Sequence, residues 1–191
     1  MDSEQKLKSI CRRIGSCKKC RLWKERKRTV PGEGPAKARY MVVGQGPGAE
    51  EDKTGRPFIG RSGNLLTGFL EKAGLNREEV FITSAVKCFP TPPPNRKPKK
   101  DELSACLPFL EEQIALIGPE KIILVGEVSF GIFFPDRKLK DWRGKRMKNE
   151  KYPDKEFFAT YHPAAALRFP GIWKKVIEGD FSKLGRRLRK K

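Results

Sequence analysis

The sequence predicts an α/β protein: three layers, α/β/α, with a central, mainly parallel four-stranded sheet and an N-terminal arm. Two observations carry this. Short apolar runs alternate along the chain with segments of helical period, the pattern of parallel strands joined by crossover helices. The runs also end in unusual turns, "GQGPG", "SAVKC", "GE" and "YHP". In a parallel sheet such turns converge at the carboxyl edge, where ligands bind. The 191 residues suffice for one domain with a full core. It divides into a helix and arm over residues 1–38 and an α/β/α core with a basic C-terminal helix over residues 39–191.

Taken in order, Leu7, Ile10, Cys11 and Ile14 recur at i, i+3, i+4 and i+7, which predicts an amphipathic helix ended by Gly15. "SCKKCRLWKERKRTVPGEGPAK", residues 16–37, is basic and turn-rich and reads as an irregular but ordered arm. "ARYMVVG" predicts the first strand, which runs into a glycine-rich, acidic loop. Leu65, Leu66, Phe69 and Leu70 have helical spacing, with Gly74 as the stop. "EVFITSAVKC" predicts the second strand. The loop "FPTPPPNRKPKK" leads into a helix from about Asp101 to Ile117, with Leu103, Leu107, Leu110 and Ile114 on one face. "KIILVG" predicts the third strand, followed by a short helix around "EVSFGIFF". "EFFATYH" predicts the fourth, and "GIWKKVIEGDFSKLGRRLRKK" a final helix with a cationic tail.

Charge narrows the partners. Forty-two Lys and Arg against 23 Asp and Glu give a formal charge of +19. That excess points to a polyanion, foremost nucleic acid, because clustered cations release counterions from phosphate backbones. A thermophile-type surface also fits 34% charged residues, but such surfaces mix their signs. No window reaches the length of a membrane span and no leader segment opens the chain, so the expectation is a cytoplasmic protein without a membrane partner. In a reducing compartment the five cysteines point to metal or redox chemistry rather than disulfides.

The turns hold the chemistry. Gly44, Gly46 and Ala49 satisfy the loose dinucleotide pattern, but Pro47 and Gly48 interrupt the immediate helix and Glu50, Glu51 and Asp52 oppose a pyrophosphate. A glycine turn can instead bring backbone close to a neutral base and sugar. The single histidine, His162, ends the fourth strand on the same edge, and Leu167 and Arg168 follow on a loop suited to touching DNA. Cys17-x-x-Cys20 is a knuckle compatible with zinc or iron–sulfur, and Cys88 and Cys106 could close a four-thiolate site. Cys11 lies on the apolar face of the first helix and reads as core. Arg96, Lys97, Lys99 and Lys100 in "NRKPKK" are read as phosphate contacts, and the tail "RRLRKK" is left open.

Together "GQGPGAEEDKTGRPFIGRSGNLL", "CKKCRL", "AVKCFP" and "HPAAALR" resemble family IV uracil-DNA glycosylases, the iron–sulfur branch of that superfamily found in thermophilic archaea and bacteria. The resemblance runs from about Cys17 to the C-terminus. It implies removal of uracil from DNA in base excision repair, and a 4Fe-4S cluster on Cys17, Cys20, Cys88 and Cys106. The expected partner is DNA containing uracil or another deaminated base, met by a monomer that is nucleoid-associated when on DNA. The resemblance makes Phe58 the ring that stacks on the flipped uracil and Glu51 the group that excludes thymine at the C5 face. His162 then donates toward the uracil O2, Gln45 with the Gly46, Pro47 and Gly48 backbone positions water, and Gly44 and Ser84 complete the pocket.

Two residues depart from the family pattern. Gln45 stands where Glu is usual and can orient a water but not accept its proton. Ser84 stands where Asn is usual and offers one rotating hydroxyl instead of a fixed donor and acceptor pair. The alternatives left open are a glycosylase for hypoxanthine or xanthine, and a catalytically weak iron–sulfur DNA-binding protein of the same fold.

Overall fold

The computed structural model describes residues 2–94 and 96–189. Asn95 of "NRKPKK" and Lys190 and Lys191 of the tail lie outside the described residues.

Helix α1, Ser3–Gly15, begins at Asp2, whose carboxylate accepts from Gln5 N–H at 2.7 Å while the Gln5 side chain accepts from Asp2 N–H. That reciprocal pair satisfies donors a helix start otherwise leaves bare. The arm follows with one short turn at Arg21–Lys24 and one isolated antiparallel bridge between Glu33 and Ile82. Then come β1 (Tyr40–Gly44), α2 (Ala49–Thr54), α3 (Arg61–Lys72), β2 (Val80–Ser84) and α4 (Lys100–Ile117). After these the chain forms β3 (Lys121–Val125), α5 (Glu127–Phe133), α6 (Leu139–Trp142), β4 (Arg146–Asn149) and β5 (Tyr152–Thr160). It closes with α7 (Ala164–Arg168), a π-helical turn at Pro170–Lys174, and α8 (Lys175–Leu188).

The sheet has five strands in the order β2-β1-β3-β5-β4, against the expected four. The extra strand, β4, runs antiparallel to β5 at the edge, Met147 pairing with Phe157. Its sequence, "RMKN", has one buried apolar residue, Met147, which is too little to signal a strand. A one-sided edge strand needs no more. The other pairings are parallel.

Side chains alternate across the sheet and split the core in two. Met41, Val43, Ile122, Leu124 and Phe157 face α1, α4 and α5, joining Leu7, Leu110, Ile114 and Phe130. Val42, Ile123, Val125 and Phe158 face α3 and α8, joining Leu66, Phe69, Leu70, Phe181 and Leu184. Period-2 strands between amphipathic helices thus make the three layers. Strand order reverses between β1 and β3, and the carboxyl ends Gly44, Ser84, Val125 and Thr160 lie along one edge beside that crevice.

Candidate active site and cysteine cavity

At this edge lies a cavity of about 580 Å³. Its lining includes Gln45, Gly46, Pro47, Gly48, Glu51, Phe58, Ser84 and His162, so eight of the residues proposed for catalysis and base binding meet there. Gly44 sits beneath the Phe58 ring: a Cβ on it would come within 2.5 Å of Phe58 Cζ. Close approach of the ring to β1 therefore requires glycine.

Phe58 has φ 50°, the only positive φ outside glycine among the described residues. A left-handed aromatic residue is strained and needs surrounding contacts to hold it. Arg77 supplies one by donating to the Pro57 carbonyl at 2.7 Å, and is itself paired with Glu33 at 3.0 Å. Gly63 supplies another, since a Cβ there would strike the Phe58 carbonyl. The Phe58 ring stacks on His162 with centroids 5.7 Å apart and planes 27° apart.

His162 accepts a hydrogen bond at Nδ1 from Ala164 N–H, at 3.1 Å. An acceptor Nδ1 carries no proton, so the neutral ring holds its proton on Nε2 as a donor. Burial lowers the pKa of His162 from 6.5 to about 4. The ring is therefore a neutral donor at ordinary pH.

The acidic stretch after the glycines, read as a loop, forms α2. Glu51 is the reason: its Oε2 accepts from Gly48 N–H at 3.0 Å and closes the helix start. Glu51 both caps this helix and lines the cavity. Gln45 is tied through its backbone carbonyl to Val86 N–H at 3.2 Å, and its side-chain nitrogen reaches the Arg96 carbonyl at a long 3.5 Å.

The basic loop differs in part from expectation. Arg96, read as a phosphate contact, has its guanidinium engaged by Glu102 at 2.6 and 2.8 Å and by the Pro92 carbonyl at 3.0 Å. Glu102 also receives Arg21 at 2.9 Å and Lys99 N–H at 2.8 Å. Although burial raises its pKa, the hydrogen bonds from Arg96, Lys99 and Arg21 outweigh this and bring it down to about 2. This carboxylate latches arm, basic loop and α4 together. Lys97, Lys99 and Lys100 are exposed, and Lys97 lines the cavity with Arg96 and Arg168. Leu167 and Arg168, expected on a loop, instead form the last turn of α7, and Leu167 is 39% exposed, as are Phe169 at 61% and Ile172 at 66% just beyond. Phe169 and Trp173 also line the cavity and were missed by sequence reasoning, although "RFPGIW" offered two aromatics directly after the histidine motif.

Cys17, Cys20, Cys88 and Cys106 line a second cavity, walled by Ile14, Trp23 and Phe109. Cys11 packs instead against the α1 side of the core. Three of the four cysteines accept N–H hydrogen bonds: Cys88 from Arg26 Nη1 at 3.3 Å, Cys20 from Leu22 backbone and Cys106 from Lys87 backbone. Burial pushes the Cys88 thiol up to about 11 and raises Cys20 and Cys106. Such thiols become thiolates only with a metal to displace the proton. Among the described residues no three His, Cys, Asp or Glu side chains gather as closely as one metal ion requires. A 4Fe-4S cluster takes one thiolate on each of four separate irons, and the four cysteines around this one cavity, three of them bonded to N–H donors, are a donor set of that kind.

The chain is similar to known proteins over most of its length. Residues 31–178 match the Uracil DNA glycosylase superfamily. The chain is 46% identical over 192 residues to a Type-4 uracil-DNA glycosylase of Sulfurisphaera tokodaii, covering 96% of this chain and 84% of the relative. It is 38% identical over 193 residues to the Type-4 uracil-DNA glycosylase of Archaeoglobus fulgidus, covering 98% and 96%. A Type-5 uracil-DNA glycosylase of Thermus thermophilus is 30% identical over 153 residues, covering 71% and 68%. With a three-layer fold, a pocket at the strand reversal and a family match over most of its length, the chain belongs to the uracil DNA glycosylase superfamily.

Proposed function

We propose that the protein hydrolyses the N-glycosidic bond of deoxyuridine in DNA, releasing uracil and leaving an abasic site. The observation that carries this reading is the neutral His162 stacked on Phe58 inside a cavity at the strand reversal. A base must leave the helix to be cut, and the Phe58 face replaces the stacking it loses. As the glycosidic bond breaks, negative charge grows on the uracil. His162 Nε2–H donates toward its O2, and a donor placed where charge develops contributes about 3 kcal/mol. Because the ring is already neutral and its Nδ1 already bonded, it needs no reorganisation as the bond breaks. Gln45 and the adjoining backbone orient the water, Ser84 meets the base edge, and Glu51 crowds the C5 face. Lys97, Lys99, Lys100 and Arg168 meet phosphates.

The same reading assigns a 4Fe-4S cluster to Cys17, Cys20, Cys88 and Cys106. When bound, the cluster would join the arm to both ends of the basic loop. The residues act around it: Arg26 and the N–H groups of Leu22 and Lys87 orient the sulfurs, and the Glu102 latch holds the loop toward DNA.

The test is incubation of purified protein with matched duplexes carrying uracil, hypoxanthine, xanthine or thymine, followed by alkaline cleavage. Cleavage at uracil alone supports the proposal. Cleavage at hypoxanthine or xanthine alone moves the substrate to another deaminated base, the reading that Ser84 favours. Binding without cleavage of any duplex would leave a DNA-binding protein that kept the fold and lost the chemistry.

A further inference from the structure

Lys87 is 1% exposed, yet among the described residues the groups its ammonium bonds include no carboxylate. Its ammonium donates to Thr83 Oγ1 at 2.5 Å, Gln113 Oε1 at 2.7 Å and the Ser84 carbonyl at 2.8 Å. All three acceptors are neutral. Two are fixed for this purpose: Thr83 Oγ1–H donates to the Pro31 carbonyl at 2.9 Å and Gln113 Nε2 to the same carbonyl at 2.8 Å. Each therefore turns a lone pair, not a hydrogen, toward the lysine. The network is built to hold a cation, but it brings no opposite charge. A buried ion without one is costly even when fully hydrogen-bonded.

The thiols whose charge would bear on Lys87 are Cys106, on the cysteine cavity, and Cys11, outside the expected ligand set. Lys87 lines that cavity, its backbone N–H bonds Cys106, and Arg26 reaches Cys88 from another side. Four thiolates around a 4Fe-4S core make a net anion. We propose that Lys87 is the internal counter-charge of the cysteine-bound cluster, aimed by Thr83, Gln113 and Pro31, and sets the cluster's retention and its reduction equilibrium. The inference rests on the cluster reading above and goes beyond it by giving a role to a residue that is neither ligand nor substrate contact. The same ammonium holds the Ser84 carbonyl, so the cluster site and the base pocket share one cation.

The experiment compares anaerobically purified wild type with Lys87→Met and Lys87→Gln. Iron and sulfide per chain, the rate of iron loss to excess EDTA and the midpoint potential of the retained cluster are measured. A nearby cation favours the added electron, so its removal favours the oxidised cluster. Both variants should lose iron at least tenfold faster. Both should also shift the reduction equilibrium at least tenfold toward the oxidised form, about 59 mV for one electron. Glutamine keeps a donor for the network and methionine does not, so a shift shared by both reports charge. An unchanged potential would overturn the proposal even if iron were lost faster, because a merely structural role predicts that pattern. A wild-type potential in Lys87→Gln with a shift only in Lys87→Met would overturn it as well. Wild type that binds no iron and sulfide would instead overturn the cluster reading itself.

Discussion

At the scale of single residues, the account turns on a histidine kept neutral. Its folded pKa of about 4 lies below the ordinary 6.5, so the unfolded chain takes up the proton first as pH falls. The stability due to the neutral ring is complete above about 6.5 and is lost as pH drops through about 4. The melting temperature of wild type should accordingly fall faster than that of His162→Ala over that window. The same shift predicts that uracil release shows no inflection near pH 6.5 from His162, its acid limb lying near 4 in a kcat/KM profile. Ser84 gives a second residue-scale prediction. Ser84→Asn should sharpen discrimination of uracil over hypoxanthine at least tenfold in kcat/KM, because an amide fitted to the pyrimidine edge is left unpaired by a purine. His162 and Phe58 could be singled out in the sequence, one as the chain's only histidine and the other through the family motif. Lys87 could not, because a lysine that ends a strand reads as exposed until its three acceptors are seen.

At the scale of elements, glycine spacing and capping carboxylates decide where the pocket residues stand. Gly44→Ala would drive a methyl into the Phe58 ring, and overpacking of this kind costs about 1–3 kcal/mol. With the ring as the proposed stacking face, KM for a uracil duplex should rise more than kcat falls, which steady-state kinetics would show. The Glu102 latch makes a different prediction. Glu102 is fully buried between Arg96 and Arg21, and removing one partner of such a pair costs about 3–5 kcal/mol. Glu102→Ala should therefore speed hydrogen exchange across residues 89–99 while the sheet strands exchange as before. The four core strands and the long helices were legible because their apolar periods are strong. Helix α2 and strand β4 were not: one starts on a side-chain cap three residues downstream, and the other buries only Met147. Arg96 shows the same limit, as its charge was visible in the sequence and its buried partner was not.

At the scale of the whole molecule, a formal net charge of +19 accompanies a pocket whose uncharged Phe58, Ser84 and His162 share the lining with Arg96, Lys97 and Arg168. The proposed reading gives attraction to DNA to the exposed lysines and recognition of the base to Phe58, Ser84 and His162. Affinity for undamaged duplex should fall steeply with salt, each neutralised phosphate adding a slope of about −0.9 in log K against log salt. Lys97→Gln with Lys99→Gln and Lys100→Gln should make that slope shallower, whereas Arg96, held by Glu102, should matter through loop order instead. Which turns would converge was readable from strand and helix alternation alone, because the carboxyl ends of parallel strands share an edge. The cavity they enclose was not, since Phe169 and Trp173 enter it from the turn beyond α7. The central claim, that a neutral His162 drives release of uracil from this pocket, is tested most directly by single-turnover rates of uracil release from a uracil-containing duplex at neutral pH, for wild type and His162→Ala. The account predicts that wild type releases free uracil and that the variant is slower by about 100-fold or more. Equal rates for the two proteins, or no uracil released by wild type, would contradict it.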